Sequence, residues 1–177
     1  GEDAEKYTFE DALPRIIEGC RKVSEYAKTK GIKTMTENHG YFSQDSYRVK
    51  AIVEGVNSDN FGTLVDIGNF LCVDEAPEKA VAVTAPYAFY AHAKDFCVKE
   101  KAEILSDDGF FKTRGGNYLK GSILGHGDVP VLKCLEIIKN NGYNGYVTLE
   151  FEGLEEAKMG CEYGLNTLKA VKEKLNW

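Results

Sequence analysis

The chain has 177 residues, 43% apolar and 28% charged, a composition that fits one ordinary globular domain and neither a disordered nor a collagen-like chain. A net charge of −6 with no clustered Lys/Arg face argues against a nucleic-acid partner. No apolar run approaches the roughly 20 residues that cross a bilayer, so no membrane partner is expected.

The opening GEDAEKYTFED is acidic and reads as neither a secretory signal nor a transit peptide. Residues 8–30 then predict a helix. Thr8 and Asp11 resemble a capping box, Leu13, Ile16, Ile17, Cys20, Val23 and Ala27 recur at helical spacing, and Gly31 is a stop. A short strand follows at 32–37, a helix at 44–57, and an apolar run at 62–66 that ends on a carboxylate. Pro77 opens a helix over 76–84. An aromatic-rich strand covers 87–93. The connection 98–127 is too long for a plain loop, and a hairpin is expected within residues 100–123, turning at Asp107–Gly109. A helix at 130–140, a strand at 146–151 and a helix at 154–174 complete the chain. Strands that alternate with helices predict an α/β fold with a parallel sheet. The five cysteines (Cys20, Cys72, Cys97, Cys134 and Cys161) are odd in number, widely spaced and without C-x-x-C. They read as buried small hydrophobes in a reducing, cytoplasmic setting.

Each of the four apolar strands ends on a residue that can bind a metal: Glu37 in MTENHG, Asp66 in LVDIGNF, His92 in YAHAKDF and Glu150 in TLEFEG. In parallel βα folds the C-terminal strand ends form the active-site rim. Taken singly, a strand-end carboxylate is as readily a solvated cap. Taken together, three carboxylates and one imidazole suit one divalent ion, Mn, Mg, Co or Zn, with the oxygen-rich set favouring the harder ions. Residues two apart on a strand share a face, which also directs His39, Lys94 and Glu152 towards the pocket. The bland readings are a turn histidine for His39, a surface lysine for Lys94, and rim or structural residues for Glu152 and His126.

The motifs E-N-H, D-x-G-N, H-A-K-D, G-H-G-D-V and L-E-F-E, in this order, resemble the xylose-isomerase-like TIM-barrel superfamily, closest to its sugar-phosphate isomerase/epimerase group. The resemblance spans nearly the whole chain but only the second half of that barrel: strands five to eight with their helices, plus a β-hairpin insertion before the penultimate helix. It implies a single partial barrel domain over 1–177. It also implies that Glu37, Asp66, His92 and Glu150 hold one divalent ion, with Glu37 and Glu150 as the acid/base pair. His39, Asn69 and Lys94 are then substrate-binding. The implied chemistry is isomerisation or epimerisation of a sugar or sugar phosphate, by proton abstraction next to a carbonyl through a metal-stabilised enediolate. The chain departs from the family at Asn69, where many epimerases have His, and at His126, where many relatives have Glu. Both departures weaken an endonuclease-type, three-zinc reading.

Two other readings stay open. One is a dehydratase of a cyclic polyol ketone on the same metal site, with Lys94 as an acid/base. The other is a non-catalytic half-barrel that binds a partner chain. A four-stranded parallel sheet would leave two bare edges, so the missing N-terminal half-barrel or a second copy of the chain is an expected partner, and the isolated chain is not expected to be a stable monomer.

Overall fold

The computed structural model describes residues 6–177. It contains α1 (Phe9–Lys28), β1 (Thr34–Glu37), α2 (Ser46–Val56), β2 (Phe61–Asp66), α3 (Pro77–Thr84), β3 (Ala88–Ala93), β4 (Asp95–Lys99), β5 (Phe111–Lys112), β6 (Tyr118–Ser122), α4 (Val131–Asn140), β7 (Val147–Leu149) and α5 (Ala157–Leu175).

The capping box forms as expected. Thr8 Oγ1 accepts from Asp11 N–H at 3.1 Å and the Asp11 carboxylate accepts from Thr8 N–H at 3.1 Å. At the other end of α1, Gly31 adopts a left-handed φ of 69° and the Ile32 N–H bonds back to Ala27 O. That capping bond spends the Ile32 N–H on the helix, so β1 begins only at Thr34 and Ile32 stays exposed.

Strands β1, β2, β3 and β7 make one parallel sheet in the order β1-β2-β3-β7. The register pairs Glu37 with Leu64, Asp66 with His92, and His92 with Thr148, and the Glu150 N–H extends the last ladder by bonding Ala93 O at 3.0 Å. One face of β2 and β3 (Val65, Ala91, Ala93) is fully buried against α3 and α4 through Val81, Leu135 and Ile138. A second cluster, Phe9, Ile52, Val53, Val56 and Phe61, seats α1 and α2 on the sheet. At roughly 25 cal/mol per Å² of apolar area, burial of these two clusters holds the helices on one face of the sheet and leaves the ligand-type residues on the other. Among the described residues, β1 and β7 are each paired on one side only.

The connection after β3 differs from expectation. Lys94 alone separates β3 from β4, and β4 pairs antiparallel with β6, which in turn pairs with β5. The hairpin turn therefore lies at Thr113–Asn117 and not at Asp107–Gly109. Thr113 N–H bonds Asn117 O at 2.9 Å, and Gly116 supplies the left-handed position at φ 98°. Asp74 holds this tip from outside, accepting from Thr113 Oγ1, Gly115 N–H and Asn117 Nδ2. Asp107–Phe110 does make a turn, but the residues before it find no partner strand, and Leu105 is fully exposed. The close approach of this three-stranded arm to the chain after β7 requires Gly121, where a Cβ would collide with Glu152 O. All five cysteines are unpaired, and no helix among the described residues is long and apolar enough to cross a membrane.

Candidate metal centre

Parallel register and side-chain alternation bring Glu37, Asp66, His92 and Glu150 to one place at the C-terminal end of the sheet. One ligand atom from each lies within 4.8 Å of every other. His92 Nδ1 stands 3.1 Å from Glu150 Oε2, 3.5 Å from Glu37 Oε1 and 3.9 Å from Asp66 Oδ2. The Tyr90 ring meets the His92 ring edge-on, with centroids 5.8 Å apart.

Asp66 tests whether this cluster suits a cation. The residue is completely buried. Its Oδ1 accepts from Gly68 N–H at 2.8 Å and Asn69 N–H at 2.9 Å, while its Oδ2 has no hydrogen-bond partner. An anionic oxygen left bare in a protein interior costs several kcal/mol unless something pairs with it. Here it points at two further carboxylates and an imidazole, a donor set that a divalent ion satisfies. Burial pushes the Asp66 carboxyl up to about 7, against the opposing pull of Lys94 and the two backbone N–H groups. The hydrogen bond with Glu37 holds the His92 imidazole above its ordinary value and the Glu37 carboxyl below its own.

Lys94 is 1% exposed. Its ammonium lies 3.1 Å from Glu150 Oε2, 3.4 Å from Glu152 Oε2, 3.3 Å from Asn69 Oδ1 and 3.9 Å from Asp66 Oδ2. Burial alone would depress the ammonium, but Asp66, Glu150 and Glu152 outweigh it and hold it above the usual lysine value. Burial likewise works against the Glu150 anion, and Lys94 and His92 more than offset it, so its carboxyl is held below the ordinary value. Lys94 is thus a charged lysine in the interior, saturated by the residues around it.

His39 is exposed and built into a turn, its N–H on Ser43 O and its carbonyl accepting from Ser43 Oγ. With Asn69, Glu152, Gln44, Phe96 and Arg114 it lines an open cleft of ≈ 460 Å³. Asn69 is buried. Gln44 Nε2 donates to its carbonyl and its own Nδ2 has no partner. His126 is exposed and is not among the four clustered ligand-type residues.

The sequence reading passed over Asn38. Its buried amide donates to Asp66 O and accepts from Asp66 N–H, both at 2.8 Å, and so carries the ladder from the end of β1 to the end of β2. Its place inside E-N-H, on the strand face opposite the two ligand-type residues, was the available signal. Asp95, inside H-A-K-D, is a further buried carboxylate beside Lys94.

Comparison with known proteins follows the same lines. The sequence profile described as xylose isomerase-like TIM barrel matches residues 1–177. Curated relatives include an inosose dehydratase of Clostridium perfringens, 25% identical over 173 residues that make up 97% of this chain and 58% of that protein. The chain therefore spans little more than half the length of that relative. Among solved structures, a xylose isomerase-like TIM barrel protein from Mycobacterium smegmatis in complex with magnesium superposes with a TM-score of 0.72 at 20% identity, over 93% of this chain and 52% of that one. The IolI protein with a bound zinc atom superposes with a TM-score of 0.70 at 19% identity, over 96% and 58%.

Proposed function

We infer, from the premise that this chain belongs to the xylose isomerase-like TIM barrel family, that it carries the metal centre of a dehydratase acting on a polyhydroxylated cyclic ketone. The metal half of this reading is carried by the bare, buried Oδ2 of Asp66 amid Glu37, His92 and Glu150. The choice of elimination over isomerisation or epimerisation is supported by relatives named inosose dehydratase that match 97% of the chain.

In this reading Glu37, Asp66, His92 and Glu150 hold one divalent ion. Bound there, the ion would supply Lewis-acid stabilisation of the negative charge that develops on a ketone oxygen when the neighbouring C–H proton leaves. Glu37 and Glu150 both approach His92 Nδ1, and both carboxyls are held below the ordinary glutamate value, so both are anions at neutral pH. One of them takes the proton. The C–H electrons become the new double bond, the hydroxyl on the next carbon departs with its bonding pair, and a proton returned from the site makes it water. Lys94, charged throughout, keeps Glu150 and Glu152 aimed and balances their charge. His39 and Glu152 are the substrate-facing polar groups of the cleft, whose wall Asn69 also lines. The unpaired sides of β1 and β7 belong, in the same reading, against further strands of a closed barrel.

Incubating the intact metal-loaded protein with a cyclic polyol ketone in deuterated water tests the choice. A dehydratase yields product lighter by one water. Recovered substrate that gains deuterium and loses no water would instead make the protein an isomerase or epimerase.

A further inference from the structure

We propose that Asp95 is a positioning residue that sets where Lys94 enters the site, by binding the loop 123–129 to the start of β4. The inference rests on the reading above only in what Lys94 does there, not in how it is held.

Lys94 is the single residue between the two sheets, and its neighbour Asp95 faces the other way. Asp95 is 1% exposed and its carboxylate accepts four backbone N–H groups. Oδ1 takes those of Phe96 at 2.9 Å and Val129 at 3.0 Å, and Oδ2 those of Gly125 at 2.8 Å and Gly127 at 2.9 Å. Two further bonds sew the same loop to β4: Asp128 N–H to Phe96 O at 2.8 Å, and Val98 N–H to Asp128 Oδ2 at 2.6 Å. This accounts for G-H-G-D-V. Gly125 sits at a left-handed φ of 89°, and a Cβ on Gly127 would collide with Asp95 Oδ1. From the other side Gly68 packs on the Lys94 carbonyl, where a Cβ would come within 2.8 Å. The Lys94 backbone is thereby packed against Gly68 and followed by the anchored Asp95, and its ammonium lies among Glu150, Glu152, Asn69 and Asp66. H-A-K-D and G-H-G-D-V are in this sense one device, the second motif wrapping the carboxylate of the first.

An Asp95→Asn side chain has one acceptor oxygen, so half of the four N–H groups would face an NH₂ group instead. The first readout needs no substrate. Acetylation of Lys94 by acetic anhydride, followed by peptide mass spectrometry of the intact protein, should run at least about tenfold faster in Asp95→Asn, with exposed lysines unchanged. The second readout is kinetic. Misplacement by about 1 Å costs on the order of 10²-fold, so Asp95→Asn should lower kcat by about that factor with bound metal unchanged. In a Lys94→Met background the same substitution should change kcat less than about threefold, because coupled residues are not additive. If Asp95→Asn does not fold, Gly127→Ala, whose Cβ would press on Asp95 Oδ1 and on Phe96 O without removing the Asp95 charge, should give the same pattern. Unchanged Lys94 acetylation, or equal kcat losses in both backgrounds, would overturn the inference. Absence of any dehydration in the unsubstituted protein would strike the functional reading alone and leave the acetylation result to decide.

Discussion

Replacing Asp66 with Asn should make the metal-free protein more stable and the metal-loaded protein less so. Asn keeps the shape and the oxygen that accepts from Gly68 and Asn69, and removes only the charge on the bare Oδ2. The sign follows from the displaced carboxyl. An acid whose folded value rises from 3.8 to about 7 carries no penalty below about pH 4. Its penalty grows as pH climbs through that window and is complete above 7. The ceiling is roughly 4 kcal/mol, at about 1.4 kcal/mol per pH unit. Because Asp66 shares its field with Lys94 and Glu150, we expect about 2 kcal/mol, or several degrees in Tm. A cation present at a hundred times its Kd stabilises the parent by about 2.7 kcal/mol, and the variant should forfeit this. Melting both proteins at about pH 8, with chelator and with Mn²⁺ or Mg²⁺, should therefore give curves that exchange order. Near pH 4 the gain should vanish. A variant that melts lower than the parent in chelator, or still gains from the cation, would refute the account of Asp66 as an oxygen held bare for a metal.

Glu150→Gln keeps size and loses the anion, so turnover should drop by about 10²–10⁴-fold and metal content should fall with it; full metal with near-normal turnover would remove Glu150 from the mechanism. Metal affinity measured by calorimetry should weaken by at least about tenfold per pH unit below 7, because a proton on Asp66 and one on His92, whose imidazole is held above its ordinary value, both compete with the cation; a profile flat between about pH 5.5 and 7.5 contradicts this. Gly121→Ala should push the antiparallel arm away from Glu152 at a cost of about 1–3 kcal/mol in denaturant unfolding, and an unchanged midpoint would show that the approach is not tight.

Much of this protein is legible along the chain because its signals are local. The capping box at Thr8, proline at the start of α3, and apolar runs that stop on a ligand-type residue each follow from a few neighbouring residues, and the order of elements with them. The α/β class and the family follow from that order and from the motifs it carries. Strand parity also directed Lys94 inwards. What parity could not give was its state. Whether an inward lysine reaches solvent or is saturated by Glu150, Glu152 and Asn69 depends on elements far apart in sequence. The hairpin was misplaced for the same reason. Asp107–Gly109 and Thr113–Asn117 are both good turns, and only the pairing of β6 with β4 and the grip of Asp74 select the second. Asn38 and Asp95 became visible only once Asp66 N–H and the 123–129 loop stood beside them. Sequence determined which residues could bind a cation, since ligand chemistry and strand ends are local properties. The tertiary fold alone decided that one oxygen of Asp66 is hydrogen-bonded and the other is not, because that difference is made by backbone N–H groups on one side and, on the other, by strands that bring His92 and Lys94 only to 3.9 Å.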